Sequence, residues 1–154
     1  MNTFTKSLPF AISLLLTGCA GAFKAPSPEW VTVVTTADWD FRVALNEITD
    51  DYPEREVRVL GVAKGEDPDI AWIRTTELID CQNMTRRIRS QTASFRVSWG
   101  YHTRPAPARR GTTELQPGSI ARMLADFQCL NNEERIRSLS ELPIEIGATS
   151  ETPF

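Results

Sequence analysis

The chain is poor in the residues that most often carry chemistry: 154 residues include one histidine, two tyrosines and three cysteines. A lone His102, in "GYHTRPAP", cannot make an imidazole-rich metal set. A nucleophilic triad would also need an acid and a nucleophile that no local pattern places beside it. No apolar run approaches the roughly 20 residues that cross a bilayer as a helix. There is no glycine-rich phosphate loop, no internal repeat and no low-complexity segment. Excess positive charge is missing too, the formal net charge being -3, so nucleic acid is not an expected partner. Glu66, Asp67 and Asp69 cluster, but without the spacing and late glutamate of a calcium loop. These absences lead to the expectation of no catalytic residue, no metal and no cofactor.

Apolar sequence is concentrated at the start. Leu8 to Leu16 forms a nine-residue stretch, preceded by Lys6, interrupted early by Pro9 and closed by the small pair Thr17-Gly18 before Cys19. Its length and flanks are those of an export signal rather than a membrane span. Cys19 has three conceivable uses: a disulfide, a reactive thiol, or covalent attachment. The ending Leu16-Thr17-Gly18-Cys19 resembles the lipobox of bacterial lipoproteins, which implies a diacylglyceryl group on the Cys19 thiol, palmitate-type acylation and cleavage before Cys19. Ala20, where an aspartate would otherwise stand, implies sorting to the Gram-negative outer membrane. Each buried methylene contributes about 0.8 kcal/mol and two chains hold where one does not, so the lipid would be the membrane element and the rest would stay aqueous.

Removing residues 1–18 leaves 136 residues, enough for one domain and too few for two. Charge is unevenly spread: residues 20–80 carry 6 basic and 13 acidic side chains, residues 81–129 carry 8 and 2, and residues 130–154 carry 2 and 5. With Cys19 assigned to lipid, Cys81 and Cys129 remain in an oxidising compartment. A disulfide, a metal pair and a reactive thiol all stay open. The ligand count disfavours metal, and a bridge would constrain the unfolded chain by about 4 kcal/mol on the loop-entropy model.

The chain past the signal reads mainly as strands. "AGAFKAPSPE" is an extended spacer. "WVTVVT", Trp30 to Thr35, is a first strand. Phe41, Val43 and Leu45 alternate with Arg42, Ala44 and Asn46 as a second, although a short helix would fit the same letters. Arg55 to Val62 and Ile70 to Ile79 follow, the latter with a break near Thr76. Thr92 to Tyr101 shows strict period two, placing Phe95, Val97, Trp99 and Tyr101 on one buried face, and residues 84–90 extend that hairpin. Pro105 and Pro107 make Arg104 to Gly111 an exposed loop. Pro117-Gly118-Ser119 then starts a helix with Ile120, Met123, Leu124 and Phe127 in one apolar stripe, and Cys129 sits just past its last turn. A short helix from Glu133 to Leu139, ended by Pro143, and a loose tail after Gly147 complete the reading.

"LIDC" at Leu78 to Cys81, a basic strand after it, and "PGS" at Pro117 to Ser119 leading to Cys129 form a frame. Together with the lipobox and Trp30, this resembles the bacterial surface-adhesin E family of small lipoproteins. The resemblance covers most of residues 30–129. It implies an α+β fold, an antiparallel β-sheet of about six strands with one C-terminal helix packed on it, a single disulfide joining Cys81 to Cys129, and a homodimer. It also implies binding of host matrix and serum proteins. The domains on this reading are 1–18 signal peptide, 19–29 lipid anchor and tether, 30–131 the adhesin-like domain, and 132–154 an extension without an assigned role.

Two readings compete for Arg86, Arg87, Arg89, Arg109 and Arg110. They form a patch for an anionic partner, such as lipid A phosphate, a sulfated glycan or an acidic protein, or they are strand positions neutralised by the acidic N-terminal strands. The expected function is a noncatalytic outer-membrane lipoprotein with an adhesin-like module for protein or glycan partners. The alternative is a periplasm-facing envelope lipoprotein that scaffolds or assists assembly. Which of Trp30, Trp39, Trp72 and Trp99 reach the surface is open at this stage.

Overall fold

A computed structural model describes residues 28–49, 53–108 and 111–146. Cys19, the spacer up to residue 27, Arg109, Arg110 and the tail from Gly147 lie outside the described residues. The strands are β1 (Trp30–Thr35), β2 (Trp39–Ala44), β3 (Glu54–Ala63), β4 (Ile70–Asp80), β5 (Thr85–Val97), β6 (Gly100–Pro105), β7 (Thr113–Glu114) and β8 (Ile144–Glu145). Two helices, α1 (Ile120–Cys129) and α2 (Asn132–Ser138), lie between β7 and β8.

The strands form one sheet in the order β6-β5-β4-β3-β2-β1-β8, with β7 added beside the start of β5. Every pairing is antiparallel except β1 with β8, which is parallel. The sheet is therefore mixed and has eight strands, where about six antiparallel strands were expected. β7 and β8 account for the difference, since a two-residue strand is too short to show a period. The helix α1 is not C-terminal either, because α2, a 3-10 turn (Leu139–Glu141) and β8 follow it.

The 92–101 segment is a hairpin rather than one strand. Val97 pairs with Gly100 across the two-residue turn Ser98-Trp99. Such a turn leaves the letters alternating while the chain reverses. Phe95 then stands opposite His102, and Tyr101 stands opposite Arg96. Trp99 and Tyr101 are thus not on a buried face with Phe95: Trp99 is 84% exposed and Tyr101 41%. The expected exposed loop begins later than Arg104, since Arg104 and Pro105 end β6 at the sheet edge, the position proline tolerates.

Alternation decides the two faces elsewhere. Arg55, Val57 and Val59 of β3 and Ile73, Thr75, Glu77 and Ile79 of β4 are buried, and their registers place them side by side. Val43 and Phe41 of β2 join the same face through Val59 and Gly61. Onto it fall Ile120, Leu124 and Phe127 of α1, forming a core with Val33, Val34, Phe41 and Val43. Burying a side chain such as Phe41 contributes about 3 kcal/mol. The apolar stripe read from the sequence is the face that packs. Ser119 caps α1 by accepting a hydrogen bond from the Arg122 amide at 3.2 Å. The break expected near Thr76 is a register shift between β4 and β5 at Thr76/Glu77 within a continuous strand. The second strand ends at Ala44 and passes into a 3-10 turn, Leu45–Glu47, which resolves the helix-or-strand ambiguity of those letters.

Cys81, one residue beyond β4, is bonded to Cys129, the last residue of α1, with Cα atoms 5.6 Å apart. The bridge ties the helix to the sheet. Residues 132–146 belong to the same folded body: Leu139, Leu142 and Ile146 pack on the core, and the Ile146 amide donates to the Thr35 carbonyl at 2.9 Å.

Candidate binding surfaces

The arginines singled out in the sequence do not share one environment. Arg86 is largely buried, with its guanidinium 3.6 Å from the Glu77 carboxylate. Glu77 in turn accepts a hydrogen bond from the Thr75 hydroxyl at 2.7 Å. Arg89 pairs with Glu56 at 3.0 Å. Arg87 is exposed and lines a shallow groove of about 180 Å³ together with Glu54 and Asp80. A larger depression of about 640 Å³ beside it is lined by Glu54, Glu56, Asp80 and Arg89. Carboxylates from β3 and β4 therefore alternate with the arginines of β5, because antiparallel registry sets Asp80 against Thr85 and Leu78 against Arg87. The charge excess counted along the sequence is distributed in space as mixed pairs. Arg109 and Arg110 lie outside the described residues, and His102 is exposed on β6.

A different constellation occupies the sheet face opposite α1. Registry brings Val62 beside Trp72 and Leu60 beside Arg74, while Asp40 and Arg42 of β2 flank Val62 and Leu60 on the other side. Trp30, at the start of β1, reaches toward the same place. Trp30, Leu60, Val62, Trp72 and Arg74 line a groove of about 240 Å³. The two indoles and two aliphatic residues are half-buried, and Arg74 is exposed with its guanidinium carbon 5.9 Å from the centre of the Trp72 ring. An apolar floor between aromatic walls, with one fork of hydrogen-bond donors, suits a ligand that has a flat apolar face and an acceptor group. One signal for it was present in the sequence. The run Val59-Leu60-Gly61-Val62 is apolar on both faces of a strand whose start alternates cleanly, so an apolar patch was due on each side.

The hairpin end of the sheet is held in place by polar contacts. The Arg96 amide donates to the Asp69 carbonyl at 2.7 Å. Its guanidinium donates to the Asp67 carbonyl at 3.0 Å and pairs with the Asp67 carboxylate. The Tyr101 hydroxyl donates to the Pro68 carbonyl at 2.7 Å and lies 3.2 Å from the Asp67 carboxylate. Loss of solvation against the turn, and then the Asp67 charge, push the Tyr101 hydroxyl above its usual pKa of 10.0. Among the described residues no group of three or more histidine, cysteine, aspartate or glutamate side chains is arranged to hold a metal ion. No described helix is long and apolar enough to cross a membrane.

The fold has a solved counterpart. The chain is similar to the crystal structure of protein E from non-typeable Haemophilus influenzae, with a TM-score of 0.50 over 77% of this chain and 92% of that one. Sequence identity is 9%, so the likeness is one of fold. No family model matches the chain, and no curated protein matches it.

Proposed function

We propose that this protein is a noncatalytic bacterial envelope lipoprotein, anchored in the outer membrane through lipid on Cys19, whose domain is an adhesin-like binding module for a protein or glycan partner. The observation that carries the reading is the groove of Trp30, Trp72, Leu60, Val62 and Arg74 on the sheet face that α1 leaves open. The lipobox supports the anchor. The surface-adhesin E frame in the sequence and the fold likeness to protein E point in the same direction. The partner would meet the aromatic groove first. The mixed charges of Arg87, Arg89 and their carboxylates would set its orientation at the rim, where exposed charge governs encounter more than affinity.

The test is a pull-down with the lipid-free domain, residues 20–154, against envelope and host-matrix fractions, comparing wild type with Trp72→Ala and Leu60→Lys. The expected result is a discrete partner retained by wild type and lost by both variants, and digestion of the domain by protease added to intact cells. Full protection of the domain in intact cells, with an envelope protein co-purifying, would replace the surface-adhesin reading with the periplasm-facing scaffold.

A further inference from the structure

Trp99 is the most exposed large hydrophobic side chain among the described residues, at 84%. Among the described residues no hydrogen bond or ring contact involves its indole. It occupies a two-residue turn between Val97 and Gly100, whose φ of 128° suits glycine. A tryptophan left in water forgoes its large burial energy. The hairpin that carries it is clamped from below. Arg96 and Tyr101, on either side of the turn, are fastened to Asp67, Pro68 and Asp69 of the β3–β4 turn. Asp67 itself holds a φ of 59°. The indole is thus presented on a rigid support, which reduces the entropy lost on docking.

Position and charge narrow the partner. Thr35, Val62, Trp72 and Ser94 stand at one end of the sheet, through the pairings Thr35 to Asp40, Asp40 to Val62, Val62 to Trp72 and Trp72 to Ser94. The hairpin turn projects past that end, whereas the chain enters β1 at Trp30 from the other direction. The tip therefore stands at the pole of the sheet opposite the entry of the chain into β1. The rim on the Tyr101 side is acidic. Lys64 is engaged by Asp40 at 3.3 Å and Arg96 by Asp67, while Glu66 and Asp69 are exposed. Such a rim repels an anionic phospholipid surface and a sulfated glycan alike. It favours a cation, and an exposed indole face favours one as well.

We propose that the hairpin tip is a docking point for a basic protein segment, with Trp99 receiving the aliphatic stem and charged head of a lysine or arginine, and Glu66 and Asp69 pairing with its neighbours. The site is distinct from the aromatic groove and has the opposite charge preference to that read from the arginines of β5.

The full chain in detergent, labelled with 5-fluorotryptophan, gives a separate fluorine resonance for each tryptophan, and Trp99→Ala assigns the one at the tip. The probes are a tryptophan-free peptide of alternating lysine and alanine, its glutamate counterpart, a heparin oligosaccharide and vesicles of anionic phospholipid. The lysine peptide is expected to shift the Trp99 resonance saturably, leaving Trp30 and Trp72 in place, and to bind more weakly as salt is raised. The double variant Glu66→Lys, Asp69→Lys is expected to bind at least about tenfold more weakly, with the Trp30, Trp39 and Trp72 resonances showing that the fold is intact. The proposal is overturned if the lysine peptide leaves Trp99 unmoved up to about 1 mM. It is also overturned if the glutamate peptide, heparin or the vesicles move Trp99 as much as the lysine peptide does. Neither result bears on the lipid anchor or the groove, which are read by the other tryptophans and by the pull-down.

Discussion

Arg55 and Arg135 donate to the same two carbonyl oxygens. The Arg55 guanidinium reaches the carbonyls of Gln128 and Leu130, each at 2.7 Å, and that of Arg135 reaches the same carbonyls at 3.2 and 2.7 Å. Both side chains are buried, at 6% and 5% exposure. The carbonyls are those a helix leaves without partners at its C-terminal end, where cations are also favoured by the helix dipole. A strand residue and an α2 residue together close α1, so the segment after Cys129 is built into the domain. Replacing Arg135 with alanine is expected to cost about 2 kcal/mol, since its charged hydrogen bonds are lost while Arg55 still donates to the same carbonyls. Urea denaturation followed by far-UV circular dichroism measures it, and a loss below about 0.5 kcal/mol would contradict the capping role.

The bridge between Cys81 and Cys129 spans 48 residues of sequence. Closing a loop of that length removes unfolded-chain entropy worth about 4 kcal/mol. The double variant Cys81→Ser, Cys129→Ser should therefore show a lower urea midpoint with a similar native spectrum. The wild type with reductant should approach the same midpoint.

Arg86 belongs to a buried pair with Glu77, which is 3% exposed. Glu77→Ala is expected to cost about 3 kcal/mol, because one charge stays buried without that partner. The double replacement of Glu77 and Arg86 by leucine should cost less than the sum of the single changes, as a double-mutant cycle would show. An additive result would mean that the pair does not interact.

Two carboxylates make stability depend on acid. The Asn83 backbone amide, then the Asn83 side chain, hold Asp80 below the ordinary value of 3.8. Burial raises Asp40, but the Thr35 hydroxyl and the Lys64 ammonium outweigh it, and Asp40 also lies below 3.8. The unfolded chain then binds protons more readily than the folded one. The stabilisation is complete above the unfolded value and is lost as pH falls through the folded values. Urea midpoints are expected to drop as pH falls below the ordinary value of 3.8. The double variant Asp40→Asn, Asp80→Asn should show a shallower drop in that window, and an equal slope would remove these groups as the cause.

The local rules that held were those with a period long enough to read. Ile120, Leu124 and Phe127 gave the packed face of α1, and the β-rich run from Arg55 to Val62 gave a strand that became β3. Cys81 and Cys129 were the pair left once Cys19 was set apart. What failed did so for geometric reasons. The two-residue turn at Ser98-Trp99 keeps the letters in alternation while inverting the faces, so the period put Trp99 on one face with Phe95 when it stands at the turn, almost fully in water. β7 and β8 are too short to carry any pattern. Of the two readings of the β5 arginines, neutralisation by the earlier acidic strands describes Arg86 and Arg89, which meet Glu77 and Glu56.

Local pattern and simple counts were enough for a strand-rich chain with an amphipathic helix and a cysteine pair, because each depends on neighbours within a few residues or on composition. Only the tertiary structure decided which strands adjoin, and with them which charges cancel and which aromatics stay outside. Pairing across a sheet joins residues tens of positions apart. Trp30 and Trp72 share a groove, and Arg96 and Asp67 hold up a hairpin, through registry that no local period encodes.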